Sequence, residues 1–255
     1  MSAINGINVR LSTIGLIEMS KLLVELHNVS VDIPLRGVSC RDYQRDSSDP
    51  RILLYDNKTY IRALNNVSLK IYSGDRIGVV GGNGNGKTTL LKVIGGILPV
   101  TSGNISIYGS IRALLSNDAG CSMFLTGRKN IELCYELLQV KSMSLREYID
   151  NVIDFAELGD FIDIPMGAYS PGMKSRLQFA MNTVEPASIL LLDEWLGVSD
   201  RAFQEKAKVR MVEYLQKSEA LLFASHSEDL INKFTNAKFE VKNGCVTKIS
   251  GSVNE

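Results

Sequence analysis

Short alternating runs and longer amphipathic ones take turns along this chain. Leu22–Ile33 alternates in part and reads as a strand, and Leu64–Tyr72 alternates again with Val67, Leu69 and Ile71 on one face. Between them residues 35–58 are polar, break the pattern and read as an inserted loop. Arg76–Val80 is a short β-rich run, followed at once by glycines and then by Lys87–Leu98, which reads as a helix. Ile105–Ile107 and Arg112–Leu115 predict further short strands. Thr126–Val140 and Leu145–Leu158 predict the helices of an α-rich insert that precedes a strand beginning at Ile189. Pro171 sits near the start of another helix, where its missing N–H is tolerated. Ser199–Lys217 reads as an amphipathic helix and Ala220–Ala224 as a buried strand. Lys238–Val241 and Cys245–Ile249 flank Asn243-Gly244, a strong two-residue hairpin signal. Alternating strands and helices predict an α/β fold around a sheet with buried parallel strands. Residues 1–18 are expected to form a loose tail, with order beginning at Met19.

Composition narrows the function classes. A chain of 255 residues suits one large or two small domains. Lys+Arg and Asp+Glu each number 28, so no bulk basic excess argues for nucleic acid as a partner. Cys40, Cys121, Cys134 and Cys245 are scattered without a Cys-x-x-Cys pair, and His27 and His226 are the only histidines, which argues against a zinc cluster. No apolar run reaches the roughly 18–20 residues that cross a bilayer, and the start lacks a secretory pattern. A cytoplasmic chain is expected, peripheral on the membrane through a partner.

Candidate chemistry begins at Gly81-Gly82-Asn83-Gly84-Asn85-Gly86-Lys87-Thr88, which fits G-x-x-x-x-G-K-[ST] in full between a strand and a helix. Glycines let the backbone fold round phosphates so that successive N–H groups point inward. The helix start adds its positive dipole end. Lys87 is placed on the β- and γ-phosphates and the Thr88 hydroxyl on Mg²⁺. Asp193 ends the apolar run Ile189–Leu192, so its carboxylate emerges at the carboxyl edge of the sheet, suited to Mg²⁺. Glu194 is the candidate to orient or deprotonate the attacking water. His226, after the strand Ala220–Ala224, is a candidate γ-phosphate sensor.

These residues resemble the ATP-binding cassette superfamily over about Leu22–Ser250. GGNGNGKTT is similar to its Walker A, LLLDE to its Walker B, YSPGMK to its signature, Ser199-Asp200 to its D-loop, and ASH to its switch-histidine segment. The resemblance implies a P-loop NTPase, RecA-like mixed sheet with an N-terminal antiparallel β-subdomain and an α-helical subdomain at about 122–175. It implies ATP bound by Gly81, Asn83, Gly84, Asn85, Gly86, Lys87, Thr88 and Thr89. It also implies an aromatic on adenine, either Tyr60 or its rival Tyr55. Mg²⁺ would be held by Thr88 and Asp193. The Q-loop position, where the family has a glutamine that ligates Mg²⁺, falls on Asn117, a candidate metal ligand through the same amide oxygen on a shorter side chain, with Ser116 and Asp118 the adjacent candidates. Ser170, Gly172 and Met173 would reach ATP held by a second copy, and Asp200 would serve the D-loop.

A narrower likeness lies in FAELGDFIDIPMGAYSPGMKSRLQFA and RALLSNDAGCSMFLTGRKNI, which look like ATPase subunits of polysaccharide exporters for O-antigen, capsule or teichoic acid. Relative to Leu-Ser-Gly-Gly-Gln, Tyr169, Pro171 and Met173 replace three residues while Ser170 and Gly172 remain. The implied assembly is a homodimer of ATPase subunits with two permease copies, the 35–58 insertion facing the membrane partner. An appended carbohydrate-binding domain is not expected after the final hairpin. A cassette ATPase of another transporter class, or one acting on nucleic acid or ribosomes, is the alternative. A P-loop kinase or GTPase would leave YSPGMK, Asp200 and His226 without roles.

Overall fold

The computed structural model describes residues 7–11, 17–35, 49–115, 120–194 and 201–250. The chain divides into two compact units, one formed by 1–113, 188–194 and 219–255, the other by 114–187 and 195–218.

The first unit contains two sheets. In the antiparallel one, β2 (Ile17–Pro34) is the spine. It pairs with β1 (Ile7–Leu11), with β4 (Lys58–Tyr72), which carries β3 (Ile52–Tyr55) on its other side, and with β6 (Ser102–Ile107). Leu23, Val24, Leu26 and Val29 of β2 and Leu64, Val67 and Ile71 of β4 are almost fully buried, as their apolar positions predict. The second sheet runs β11 (Cys245–Ser250), β10 (Ala237–Lys242), β5 (Arg76–Val80), β9 (Ala220–Ala224), β8 (Ile189–Asp193), β7 (Ile111–Leu114). Pairs β10–β5, β5–β9 and β8–β9 are parallel, and β10–β11 is an antiparallel hairpin. Every residue of β9 and the first four of β8 are buried. That burial is why both read as unbroken apolar runs rather than alternating ones. Helix α1 (Lys87–Ile94) follows β5.

The second unit is helical: α2 (Gly127–Leu137), α3 (Leu145–Ala156), α4 (Pro171–Asn182) and α5 (Arg201–Lys217). Ile131, Tyr148, Val152, Met166, Leu177 and Met181 form its core, each at most 1% exposed. Thr126 and Ser144 cap α2 and α3, and Glu147 completes a capping box on α3. In the first unit, α6 (Glu228–Phe234) links β9 to β10. Among the described residues no helix is long and apolar enough to cross a membrane.

Three expectations change. The 1–18 segment is not uniformly a loose tail: Ile7–Leu11 pairs with Ile17–Lys21, because a strand as long as β2 offers an edge beyond β6 for a further strand. The 35–58 segment is only partly a loop. Ile52–Tyr55 forms β3 and returns through Asp56 and Asn57, both at positive φ (50° and 55°), as a two-residue hairpin turn with strands twisted this way demands. The helical unit reaches beyond 122–175, since α5 joins it: Arg210 donates to the Thr183 carbonyl and to Asn151 Oδ1. Helix α6 (Glu228–Phe234) has no counterpart among the elements expected from the sequence, and the other differences are helix and strand ends shifted by a few residues, where fraying and caps set the boundary.

Candidate active site

The phosphate loop is shaped by contacts that glycine alone permits. Gly81 has φ 139°, and a Cβ there would lie 2.2 Å from the Val241 carbonyl oxygen. Gly86, at φ 113°, precedes α1, and its Cβ would lie 2.5 Å from the Ala63 carbonyl oxygen. Two strands thus press on the loop at positions that cannot carry a side chain. Lys87 is 7% exposed, and its Nζ donates to the carbonyls of Gly81 (2.6 Å) and Gly82 (3.2 Å). The ammonium is therefore curled over the loop, held by neutral acceptors that phosphate oxygens can displace. Asn83 is exposed, and Thr89 is half-buried on the first turn of α1.

One residue on, the Thr88 hydroxyl donates to Asp193 Oδ2 at 2.5 Å. This joins the head of α1 to the end of β8, the pairing expected for Mg²⁺. Two adjacent hard oxygens suit that ion, which uses few protein ligands and shares the rest with water and phosphates. Among the described residues no group of three or more His, Cys, Asp or Glu could hold a metal alone.

Glu194 leaves β8 with φ 65°. Its N–H donates to the Ala224 carbonyl (2.8 Å), so β9 turns it back along the sheet edge. Its carboxylate accepts from the Ser225 hydroxyl (3.3 Å) and from the His226 N–H (3.2 Å). The His226 ring Nε2 lies 3.7 Å from Glu194 Oε1, beyond hydrogen-bond reach but close enough to meet it after a small rotation. The side chains of Glu194 and His226 are 51% and 57% exposed, so water reaches both. Thr88, Asp193, Glu194 and His226 therefore gather at the carboxyl ends of β8 and β9, with the P-loop after β5 beside them in the same sheet.

In the helical unit, Ser170 is the N-cap of α4, its oxygen accepting the Met173 N–H at 3.2 Å, with Pro171 at N1. Ser170 is exposed, and its O–H keeps the capacity to donate. Among the described residues, a Cβ on Gly172 would meet nothing nearer than Ser170 Oγ at 4.0 Å. Tyr169 is 4% exposed and donates to the Phe161 carbonyl at 2.6 Å. Burial raises its phenol above the ordinary value. Tyr169, one of the three residues that depart from the usual signature, is thus a core anchor.

Tyr60 and its rival Tyr55 stack on each other, ring centroids 4.0 Å apart and planes within 3°. Tyr55 is 38% exposed and Tyr60 half-buried, so the outer ring is Tyr55. Asn117 with its neighbours Ser116 and Asp118, and Ser199 and Asp200, lie outside the described residues.

Sequence reasoning missed two supports. Ser225, which holds Glu194, lies within the ASH segment itself. Arg51, whose Nη1 donates to the Gly84 carbonyl at 2.7 Å, carried no signal, because nothing local marks an arginine for contact with a loop 33 residues on.

Residues 64–197 match the ABC transporter family model. The O-antigen export system ATP-binding protein RfbE of Yersinia enterocolitica is 41% identical over 73% of this chain and 78% of its own length. The teichoic acids export ATP-binding protein TagH of Staphylococcus saprophyticus is 36% identical over 81% of this chain and 79% of its own. TagH of Enterococcus faecalis is 41% identical over 65% of this chain, which spans only 37% of that longer protein. Among solved structures, the dimeric post-hydrolysis state of the ATP-binding cassette MJ0796 bound to ADP and Pi superposes with a TM-score of 0.64. It is 20% identical and covers 90% of this chain and all of that one.

Proposed function

This chain belongs to the ABC transporter family, and from that premise we propose that it is the ATP-hydrolysing subunit of an exporter of lipid-linked polysaccharide, of the O-antigen, capsular or teichoic-acid class. The observation that carries the ATPase part is the Thr88–Asp193 contact at 2.5 Å with Glu194 one residue beyond it. Phosphate cradle, metal oxygens and a water-accessible carboxylate then share one edge of one sheet. The export class is supported by the likeness to RfbE and TagH.

In this reading the loop Gly81–Gly86 and Thr89 bind the ATP phosphates, and Lys87 exchanges the Gly81 and Gly82 carbonyls for β- and γ-phosphate oxygens. Thr88 and Asp193 would hold Mg²⁺, which would supply charge neutralisation to the phosphates. Glu194, fixed by Ser225 and the Ala224 carbonyl, takes the proton of the attacking water. His226 approaches the γ-phosphate from beside it. The Tyr55–Tyr60 stack offers a planar surface to adenine. Ser170, Gly172 and Met173 serve ATP held by a second copy, with the Ser170 O–H and the N-terminus of α4 directed at phosphate. ATP favours the closed pair and hydrolysis releases it. Asn117 and Asp200 keep the metal and D-loop roles that the resemblance implies.

Two permease copies complete the assembly and keep the subunit at the inner face of the membrane. The helical unit exposes Phe124 at 93% and Ile164 at 37%. The Met166 N–H donates to the Leu125 carbonyl and the Gly167 N–H to that of Met123, so these apolar side chains stand on adjoining segments. That face is our candidate for contact with the membrane partner.

Depletion of the protein, followed by mass spectrometry of lipid-linked glycans, tests the reading. Build-up of one glycan inside the cell is expected. Absence of any build-up, with ATPase activity intact in the purified protein, would remove the polysaccharide assignment and leave the ATPase.

A further inference from the structure

Two successive carbonyls of the phosphate loop are held by donors from far away in sequence. The Gly84 carbonyl accepts from Arg51 Nη1 at 2.7 Å. The Asn85 carbonyl accepts the Gly244 N–H at 3.0 Å, while Asn85 Oδ1 takes the Asn243 N–H at 3.1 Å. Each peptide is planar and trans, so an N–H points opposite to the carbonyl it is bonded to. Holding the carbonyl of Gly84 therefore directs the N–H of Asn85, and holding that of Asn85 directs the N–H of Gly86. Among the described residues the Asn85 N–H itself makes only a long 3.4 Å contact, with the Gly82 carbonyl. Gly84 has φ 72°, and among the described residues nothing lies within 4 Å of a Cβ built there.

Arg51 is itself well oriented. Its Nε and Nη2 fork onto both carboxylate oxygens of Asp49, at 3.1 and 2.7 Å, which leaves Nη1 for Gly84. The Asp49 carboxylate also takes the Arg51 N–H at 3.0 Å, and the Arg51 carbonyl takes the Arg62 N–H at 2.7 Å. The pair thus rests on β4. The guanidinium beside Asp49 holds that carboxyl at about 2, so the fork persists at neutral pH. A lysine could not span both contacts, because its single ammonium lacks the planar fork.

We propose that Arg51, oriented by Asp49, is a positioning residue for the phosphate loop: it turns the Gly84–Asn85 peptide so that the loop is set for nucleotide before nucleotide arrives. This rests on the nucleotide-site reading above. It assigns a task at the P-loop to a segment that the sequence alone placed in a membrane-facing insertion.

The test is isothermal titration of Mg-ATP and Mg-ADP into the full chain and its variants, with steady-state ATPase kinetics and thermal melting alongside. R51A is expected to raise both dissociation constants roughly three- to tenfold, the net size of one ordinary exposed hydrogen bond. KM rises in step, and kcat at saturating ATP stays within about twofold, since the loop is set by binding once phosphate is present. D49A leaves the donor but not its aim, so a smaller rise in the same direction follows. The double variant should be no worse than R51A, because both act through one contact. A folded R51A that binds both nucleotides as wild type does would overturn the proposal. So would a loss of kcat with KM unchanged. Should R51A melt as an unfolded chain, D49A decides by the same criteria. Failure of the wild-type protein to bind Mg-ATP at all would instead remove the nucleotide-site reading beneath.

Discussion

The phosphate loop and the signature segment are built in opposite ways. Gly81–Thr88 is surrounded by pieces of chain that are distant in sequence: Arg51, Ala63, Val241 and the Asn243–Gly244 turn all touch it. Tyr169–Met173 takes its helix start from its own residues, a cap and a proline at N1, while Tyr169 bonds to Phe161 eight residues back and packs in the core of the helical unit. The loop is held from outside, while among the described residues nothing covers Ser170 or crowds Gly172. In the proposed reading, one half of the site is held within a single copy, while the other half would be used by a second.

Glu194→Gln separates the two halves most sharply. Turnover should fall about 10²–10³-fold with ATP binding retained, as for loss of a general base. An ATP-stabilised dimer should then appear in size-exclusion chromatography. Near-normal turnover would sink the role given to Glu194. Next in size is Gly81→Ala, which drives a Cβ toward Val241 and strains a residue at φ 139°. A loss of about 1–3 kcal/mol in chemical denaturation is expected, together with at least about tenfold weaker ATP binding by the lone chain. Gly172→Val should differ in kind. Its side chain meets no close neighbour among the described residues, so stability changes by less than about 0.5 kcal/mol, nucleotide affinity at low protein concentration holds, and ATPase activity falls roughly tenfold as pairing is blocked. If Gly172→Val destabilises as much as Gly81→Ala, the contrast between the two regions is wrong. The smallest effect belongs to Tyr169→Phe, which removes the bond to the Phe161 carbonyl. About 1–2 kcal/mol of stability should be lost with ATP affinity unchanged, and weakened binding would show that this tyrosine does more than anchor the helix.

Much of the molecule was legible in the residues because local physics decides it. The unbroken apolar runs of β8 and β9, the proline and serine at the start of α4, and the Asn243-Gly244 turn each carry their own instruction. The full P-loop spacing between a strand and a helix did the same for the candidate site. The Asp56–Asn57 hairpin was equally legible in principle, and the polar stretch before it hid the signal. The pairing of β1 with β2 was not, because a strand edge is available only once β2 has been laid down.

By itself the sequence determined the kind of site and its family, since phosphate binding demands glycines, a lysine and a hydroxyl at close spacing along one turn of chain. Tertiary structure alone decided what holds that turn in place. Arg51 reaching Gly84, Ser225 holding Glu194 and the final hairpin turn gripping Asn85 are contacts across sequence separations of 33, 31 and 158 residues. No local propensity encodes such contacts, because they exist only after the sheets have brought those residues to one edge.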